Sequence, residues 1–177
     1  GLPDIGLQSA IRREVETRMV TLLVNGVAHR VAVAVNETLL ETLRGRGNVE
    51  VKCGCEKGDC GACAVLLDGE AVDSCLTLTW TVEGREITTI AGLGTIEAPH
   101  PLQTAFAEAG AAQCGYCIPG MIIASQSMLN NDTQNPTLDD IRVALSGNLC
   151  RCGAYTNIAD AIEDVLKQGN VAREAAE

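Results

Sequence analysis

The sequence has 177 residues, with 13 Lys plus Arg against 23 Asp plus Glu and a formal net charge of −10. An acidic chain without a Lys/Arg cluster suits a phosphate backbone poorly, so no nucleic-acid partner is expected. No apolar run approaches the ~18 residues needed for a membrane span, so none is expected. With 46% hydrophobic and 20% charged residues the composition is globular. Its four aromatics (Trp80, Phe106, Tyr116 and Tyr155) leave a core of Val, Leu, Ile and Ala.

In chain order, residues 1–17 read as an N-terminal extension. Arg12-Arg13 is followed by Glu14, Val15 and Glu16 rather than by an apolar stretch, so no secretory signal is expected. Residues 19–35 read as a β-hairpin turning at Asn25-Gly26, with Val27, His29, Val31, Val33 and Val35 on one face of the second strand. Asn36 is placed to cap a short helix carrying Leu39, Leu40 and Leu43 that ends at Gly45. A Gly- and Cys-rich loop covers 52–63. A second hairpin turns at Asp68-Gly69 between Ala64–Leu67 and Ala71-Val72, and Ile87–Ile90 reads as a last strand. The pattern predicts an α+β domain over 18–92, followed by a linker at 93–101 rich in Gly and Pro.

Beyond the linker the period becomes helical. The apolar stripes are Leu102, Ala105, Phe106 and Ala109, then Met121, Ile122, Met128 and Leu129 behind Pro119. Ile141, Ala144 and Leu145 follow a capping box at Thr137–Asp140, and the last stripe is Ile158, Ala161, Ile162, Val165 and Leu166. Four short helices over 102–168 are expected to pack as a small bundle, leaving a tail at 169–177.

The nine cysteines are an odd number, so they cannot all pair as internal disulfides. A reducing, cytoplasmic setting with metal-binding thiolates is the expected reading. Cys55, Cys60, Cys63 and Cys75 follow the C-x4-C-x2-C…C spacing of plant-type [2Fe–2S] ferredoxins. Gly54, Gly58 and Gly61 would let the loop take positive φ and turn amides toward sulfur. A structural zinc site is the alternative. Cys53 would break the spacing as a ligand and is expected to be a free thiol. Cys114, Cys117, Cys150 and Cys152 form a second group, each pair just ahead of a helix N-terminus that favours thiolate charge. Their spacing alone leaves zinc open. His29 and His100 lack a partner spacing for metal or base chemistry. Trp80 is expected to serve packing, and no nucleophile triad or phosphate loop is present.

Three stretches occur in order: Lys52-Cys-Gly-Cys-Glu-Lys-Gly-Asp-Cys-Gly-Ala-Cys63, Gln113-Cys-Gly-Tyr-Cys117 with Pro119-Gly120-Met121, and Gly147-Asn-Leu-Cys-Arg-Cys152. Together they resemble the small iron–sulfur subunit of the xanthine dehydrogenase/aldehyde oxidase family of molybdenum hydroxylases, over about Val20 to Leu166. The resemblance implies a β-grasp ferredoxin-like domain holding one [2Fe–2S] cluster on Cys55, Cys60, Cys63 and Cys75. It implies a four-helix domain holding a second on Cys114, Cys117, Cys150 and Cys152. It further implies a large partner subunit carrying molybdenum on a pterin, with Gln113 and Cys152 beside that molybdopterin, and a medium FAD subunit or a cytochrome-type acceptor. Such a chain relays single electrons from the molybdenum site through both clusters to FAD or another acceptor. Ile118 and Gly153 stand where the family usually has Thr, Leu43–Lys52 is shorter than usual, and Cys53 is uncommon. A zinc-stabilised binding module and a free-standing ferredoxin-like carrier are the competing functional readings.

Overall fold

Asn25 and Gly26 take φ of 50° and 77°, the left-handed pair that a two-residue hairpin turn requires. They join β1 (Thr17–Val24) to β2 (Val27–Ala34) in antiparallel register. This turn belongs to a computed structural model that describes residues 15–131 and 136–174, so most of the N-terminal stretch weighed for a signal lies outside the described residues. Asp68 and Gly69, with φ of 52° and 90°, repeat the device between β3 (Ala64–Leu67) and β4 (Glu70–Asp73). With β5 (Glu86–Thr88) the described strands form one sheet ordered β2-β1-β5-β3-β4. β1 and β5 run parallel, and the other neighbours run antiparallel.

Helix α1 (Leu39–Gly45) lays Leu39, Leu40 and Leu43 on one face of this sheet, against a core that includes Leu22, Val31, Val65 and Ile87. Its cap is Thr38, not the expected Asn36. The Thr38 hydroxyl accepts from the Glu41 amide at 3.2 Å, and the Glu41 carboxylate accepts from the Thr38 amide at 2.8 Å. A reciprocal box needs Glu or Gln three residues on, and Leu39 stands there for Asn36. The last strand is also shorter than expected. The Thr89 amide donates to Asn25 Oδ1 at 2.9 Å, which draws the chain out of the ladder, and Ile90 opens a short helix, α2 (Ile90–Leu93). A 3₁₀ turn at Thr79–Val82 left no periodic signal. There Trp80 Nε1 donates to the Val35 carbonyl at 2.9 Å and its ring centre lies 4.9 Å from the Arg18 guanidinium.

The remaining described helices are α3 (Pro101–Glu108), α4 (Ile118–Asn130), α5 (Leu138–Ala144) and α6 (Tyr155–Glu174), the last running into the stretch read as a tail. α3 packs on α6 and α4, and α5 lies against both α4 and α6. Leu102, Phe106, Met121, Ile141, Ile158 and Ile162 meet in a second core. No helix among the described residues is long and apolar enough to cross a membrane. α3 is capped by His100, a residue without an expected role: its Nδ1 accepts from the Leu102 amide at 3.3 Å, while Gln103 Oε1 accepts from the His100 amide at 2.8 Å.

The two cores meet through β3. Val65 and Leu67 face the first core, whereas Ala64 and Leu66 face the other way and are covered by Ile123 of α4, which is fully buried. A strand covered on both faces reads as a continuous apolar run, as Ala64-Val65-Leu66-Leu67 does. Ala71 N donates to Ser127 Oγ at 2.9 Å, and Asn130 Nδ2 donates to the Gly69 carbonyl at 2.9 Å, along the same seam. At its other end Gly120 sits directly on the Gly61 carbonyl, with no room for a Cβ.

Two outcomes are expected. Gly120→Ala should cost on the order of 1–3 kcal/mol in chemical unfolding, because its Cβ would strike the Gly61 backbone. Gly45→Ala, whose Cβ meets nothing within 4 Å, should be neutral or stabilising by up to about 1 kcal/mol. The His100 cap accepts a proton-donating amide only while the imidazole is neutral, and burial holds its pKa below the usual 6.5. A depressed value places this stabilisation above the unfolded pKa and removes it as pH falls through the folded one. The wild type should therefore lose stability relative to His100→Asn, a cap that does not titrate, between about pH 7.5 and about pH 5. Unfolding midpoints that stay parallel across this range would show that the imidazole does not cap in this way.

Candidate metal centres

The loop from Lys52 to Cys63 has no regular structure of its own and is shaped by its amides. Cys55 Sγ accepts from the Asp59 amide at 3.3 Å. Amides of Lys57, then Asp59 and Cys60, hold its pKa down to about 7, against the burial that works the other way. Three positions carry the left-handed backbone: Gly58 (φ 80°), Gly61 (φ 66°) and, unexpectedly, Glu56 (φ 58°). Gly54 is not among them. Its glycine has a steric reason instead, since a Cβ there would stand 2.6 Å from Cys60 Sγ.

Within this region the Cys60 thiol perturbs that of Cys55, and the Cys75 thiol that of Cys63, so each of these cysteines has another nearby. Cys63 and Cys75 are buried, whereas Cys55 and Cys60 are half-buried. Burial pushes the Cys63 thiol up to about 12, and the neighbouring Cys75 and Asp73 add to this; the Cys63 thiol donates to Asp73 Oδ1 at 3.7 Å. A thiolate there is costly unless a cation neutralises it. Four thiolates shared between two irons fit a pairwise arrangement. The same four thiols suit a single tetrahedral ion as well, and among the described residues no three His, Cys, Asp or Glu side chains are gathered closely enough to hold a metal ion. Cys53 stands apart from both pairs: its thiol donates to Glu56 Oε1 at 3.0 Å, the chief cause of its raised pKa.

The second group lies on two loops. Cys117 is the N-cap of α4, and the Cys150 thiol lies near enough to raise its pKa. Burial pushes Cys117 up to about 12, with Cys150 and Cys114 adding to it. Cys150 is also penalised by burial, but amides of Ala154, Cys152 and Gly153 and the Cys117 thiol outweigh this and bring its pKa down. The turn beneath it is fixed by Gly153 at φ 79° and by the Tyr155 hydroxyl, which accepts from the Cys150 amide at 2.7 Å. A Thr at 153 would be strained in that conformation. Cys114, Cys152 and Gln113 are exposed. Cys114 lies near enough to Cys117 to raise its pKa.

The loops of the two groups also touch one another, which the spacing of cysteines did not signal. Leu149 N donates to the Cys60 carbonyl at 3.0 Å, Asn148 Nδ2 to the Gly61 carbonyl at 3.2 Å, and the Tyr116 hydroxyl to the Cys53 carbonyl at 2.7 Å. Asn148 is only 7% exposed. Its position directly before Leu149-Cys150 was the available clue, but its partner lies 87 residues away in the chain.

Residues 22–89 match the family model described as a 2Fe-2S iron-sulfur cluster binding domain, and residues 89–163 match the one described as a [2Fe-2S] binding domain. The chain is 43% identical to the aldehyde oxidoreductase iron-sulfur-binding subunit PaoA of Escherichia coli strain K12, over 84% of this chain and 72% of that protein. It is 42% identical to the xanthine dehydrogenase iron-sulfur-binding subunit of Escherichia coli O157:H7, over 86% of this chain and 96% of that protein. The crystal structure of quinoline 2-oxidoreductase from Pseudomonas putida 86 superposes with a TM-score of 0.80 at 38% identity, covering 85% of this chain and 94% of that one. With two cluster-binding models matched in tandem and relatives this similar along most of their length, the chain belongs to the iron–sulfur subunits of the xanthine dehydrogenase/aldehyde oxidase family of molybdenum hydroxylases.

Proposed function

We propose that the chain is the electron-transfer subunit of a molybdenum-dependent oxidoreductase, relaying single electrons between a molybdenum–pterin site on a large partner and FAD, or another acceptor, on a second partner. Each [2Fe–2S] cluster, when bound, supplies a one-electron couple. Cys55, Cys60, Cys63 and Cys75 would hold the first, and Cys114, Cys117, Cys150 and Cys152 the second. The observation that carries this reading is that the loops bearing the two cysteine groups are hydrogen-bonded to each other at the seam.

The chain's own residues account for the rest of the task. Amides of Lys57, Asp59 and Cys60 stabilise negative charge on Cys55, and those of Ala154, Cys152 and Gly153 do so on Cys150. Such N–H···S bonds tune cluster potential. Cys63 and Cys75 are buried, so water has little access to the inner side of the first group. The exposed trio Gln113, Cys114 and Cys152 supports a docking face for the molybdopterin-bearing chain, with Gln113 and Cys152 beside the pterin. In this reading residues 18–92 act as a β-grasp unit, 93–101 as a linker and 102–168 as a four-helix bundle. The nine cysteines suit a cytoplasmic location.

The test is electron paramagnetic resonance of the dithionite-reduced native complex, with metal analysis. About four irons and four inorganic sulfides per chain are expected, with two distinguishable signals of about one spin each. One or two zincs and no signal would favour the zinc-stabilised module instead. Cys60→Ser should abolish the signal of the first site and reduce steady-state turnover with the external acceptor to a small residue. A variant that still reduced the acceptor at the full rate would place the first site off the route.

A further inference from the structure

Three hydrogen bonds tie the first thiol loop to the second group, and they do not constrain the same part of it. Leu149 N and Asn148 Nδ2 hold the Cys60 and Gly61 carbonyls, in the middle of the loop. Neither restrains the arm from Lys52 to Glu56, which carries Cys55 and the left-handed Glu56 at φ 58°. The link from the second group to this arm is the Tyr116 hydroxyl, 2.7 Å from the Cys53 carbonyl and 63 residues away in sequence. Tyr116 itself sits between Cys114 and Cys117, and it is 48% exposed. An aromatic ring left so open contributes little to a core, so its polar end is the part with a defined partner.

We propose that Tyr116 is a positioning residue for electron transfer: by donating to the Cys53 carbonyl it holds the Cys55 arm of the first loop against the Cys114–Cys117 loop, and so fixes how the two redox sites face each other. The inference rests on the two-cluster reading above and adds to it a specific hydroxyl. One end of the bond belongs to the loop of one site and the other end to the loop of the other, so motion of either arm changes the separation between the sites. A carbonyl accepts this bond, so the hydroxyl acts on the position of the backbone without touching sulfur. The bond between the Cys53 thiol and Glu56 Oε1 stiffens the same arm from within. Tyr116 thus acts on its side of the loop as Asn148 does on the other.

The experiment compares the wild-type complex with Tyr116→Phe, which keeps the ring and removes only the hydroxyl. Two readouts are followed by paramagnetic resonance: the loss of each cluster's signal during incubation with an iron chelator, and the magnetic interaction between the two reduced clusters. In the variant the first-site signal should disappear about two- to tenfold faster, the factor a single neutral hydrogen bond is worth. The second-site signal should decay as in the wild type, and the interaction between the clusters should become weaker or spread over a range. A variant with both decay rates and the interaction unchanged overturns the proposal while leaving the two-cluster reading intact. Equal acceleration at both sites also overturns it, since that is the mark of general destabilisation. A wild-type complex without two signals overturns the two-cluster reading and this proposal with it.

Discussion

The contact on which the molecule turns is the one between two backbones, the Gly61 carbonyl and Gly120 at the head of α4. Side chains cannot mediate so short an approach: the absence of a Cβ at Gly120 permits it, and the absence of one at Gly61 leaves room for Asn148 and the Gly147 carbonyl. Gly61 lies between Cys60 and Cys63, Gly120 lies three residues after Cys117, and the Asn148 side chain closes on the same carbonyl from the loop that carries Cys150. Three segments distant in the chain are thereby brought to one place, each bearing cysteine.

Around that contact the scaffold supplies opposite environments to chemically identical groups. Cys55 faces a nest of amides and ionises readily, whereas Cys63 and Cys117 sit where an uncompensated charge is expensive. A metal at either group would therefore be held partly by dipoles and partly by the cost of leaving buried sulfur without a counter-charge. Both groups mix a thiol eased by nearby amides with one pushed up by burial, although they grow from a sheet-bound loop in one case and from helix entrances in the other.

Much of this was legible before any coordinates. The hairpins at Asn25-Gly26 and Asp68-Gly69 rest on local backbone preference, and both turns form as expected. The capping box at Thr137–Asp140 also forms as written. Errors arose where a local rule met a non-local competitor or a better local one. Asn36 lost the cap of α1 to Thr38 because Glu41 completes a box for the latter. Ile90 left the strand because a side chain from the first turn occupies the Thr89 amide. The cysteine groups could be read from spacing, but Asn148, Tyr116 and the His100 cap could not, since each acts through one hydrogen bond whose importance depends on the fold. Gly54, Gly58 and Gly61 were assigned a shared reason, and the structure divides them: conformation for two, clearance for the third.

The double-sided coverage of β3 has a consequence for how such chains could evolve. A lone sheet module cut free of α4 would carry Ala64 and Leu66 to its surface as a bare, oily stripe next to the cysteine-rich loop. Independence would thus demand new polar residues on that strand as well as a break in the connecting segment. The helical half works as a permanent lid, and natural selection can retune either centre more readily than it can divorce them.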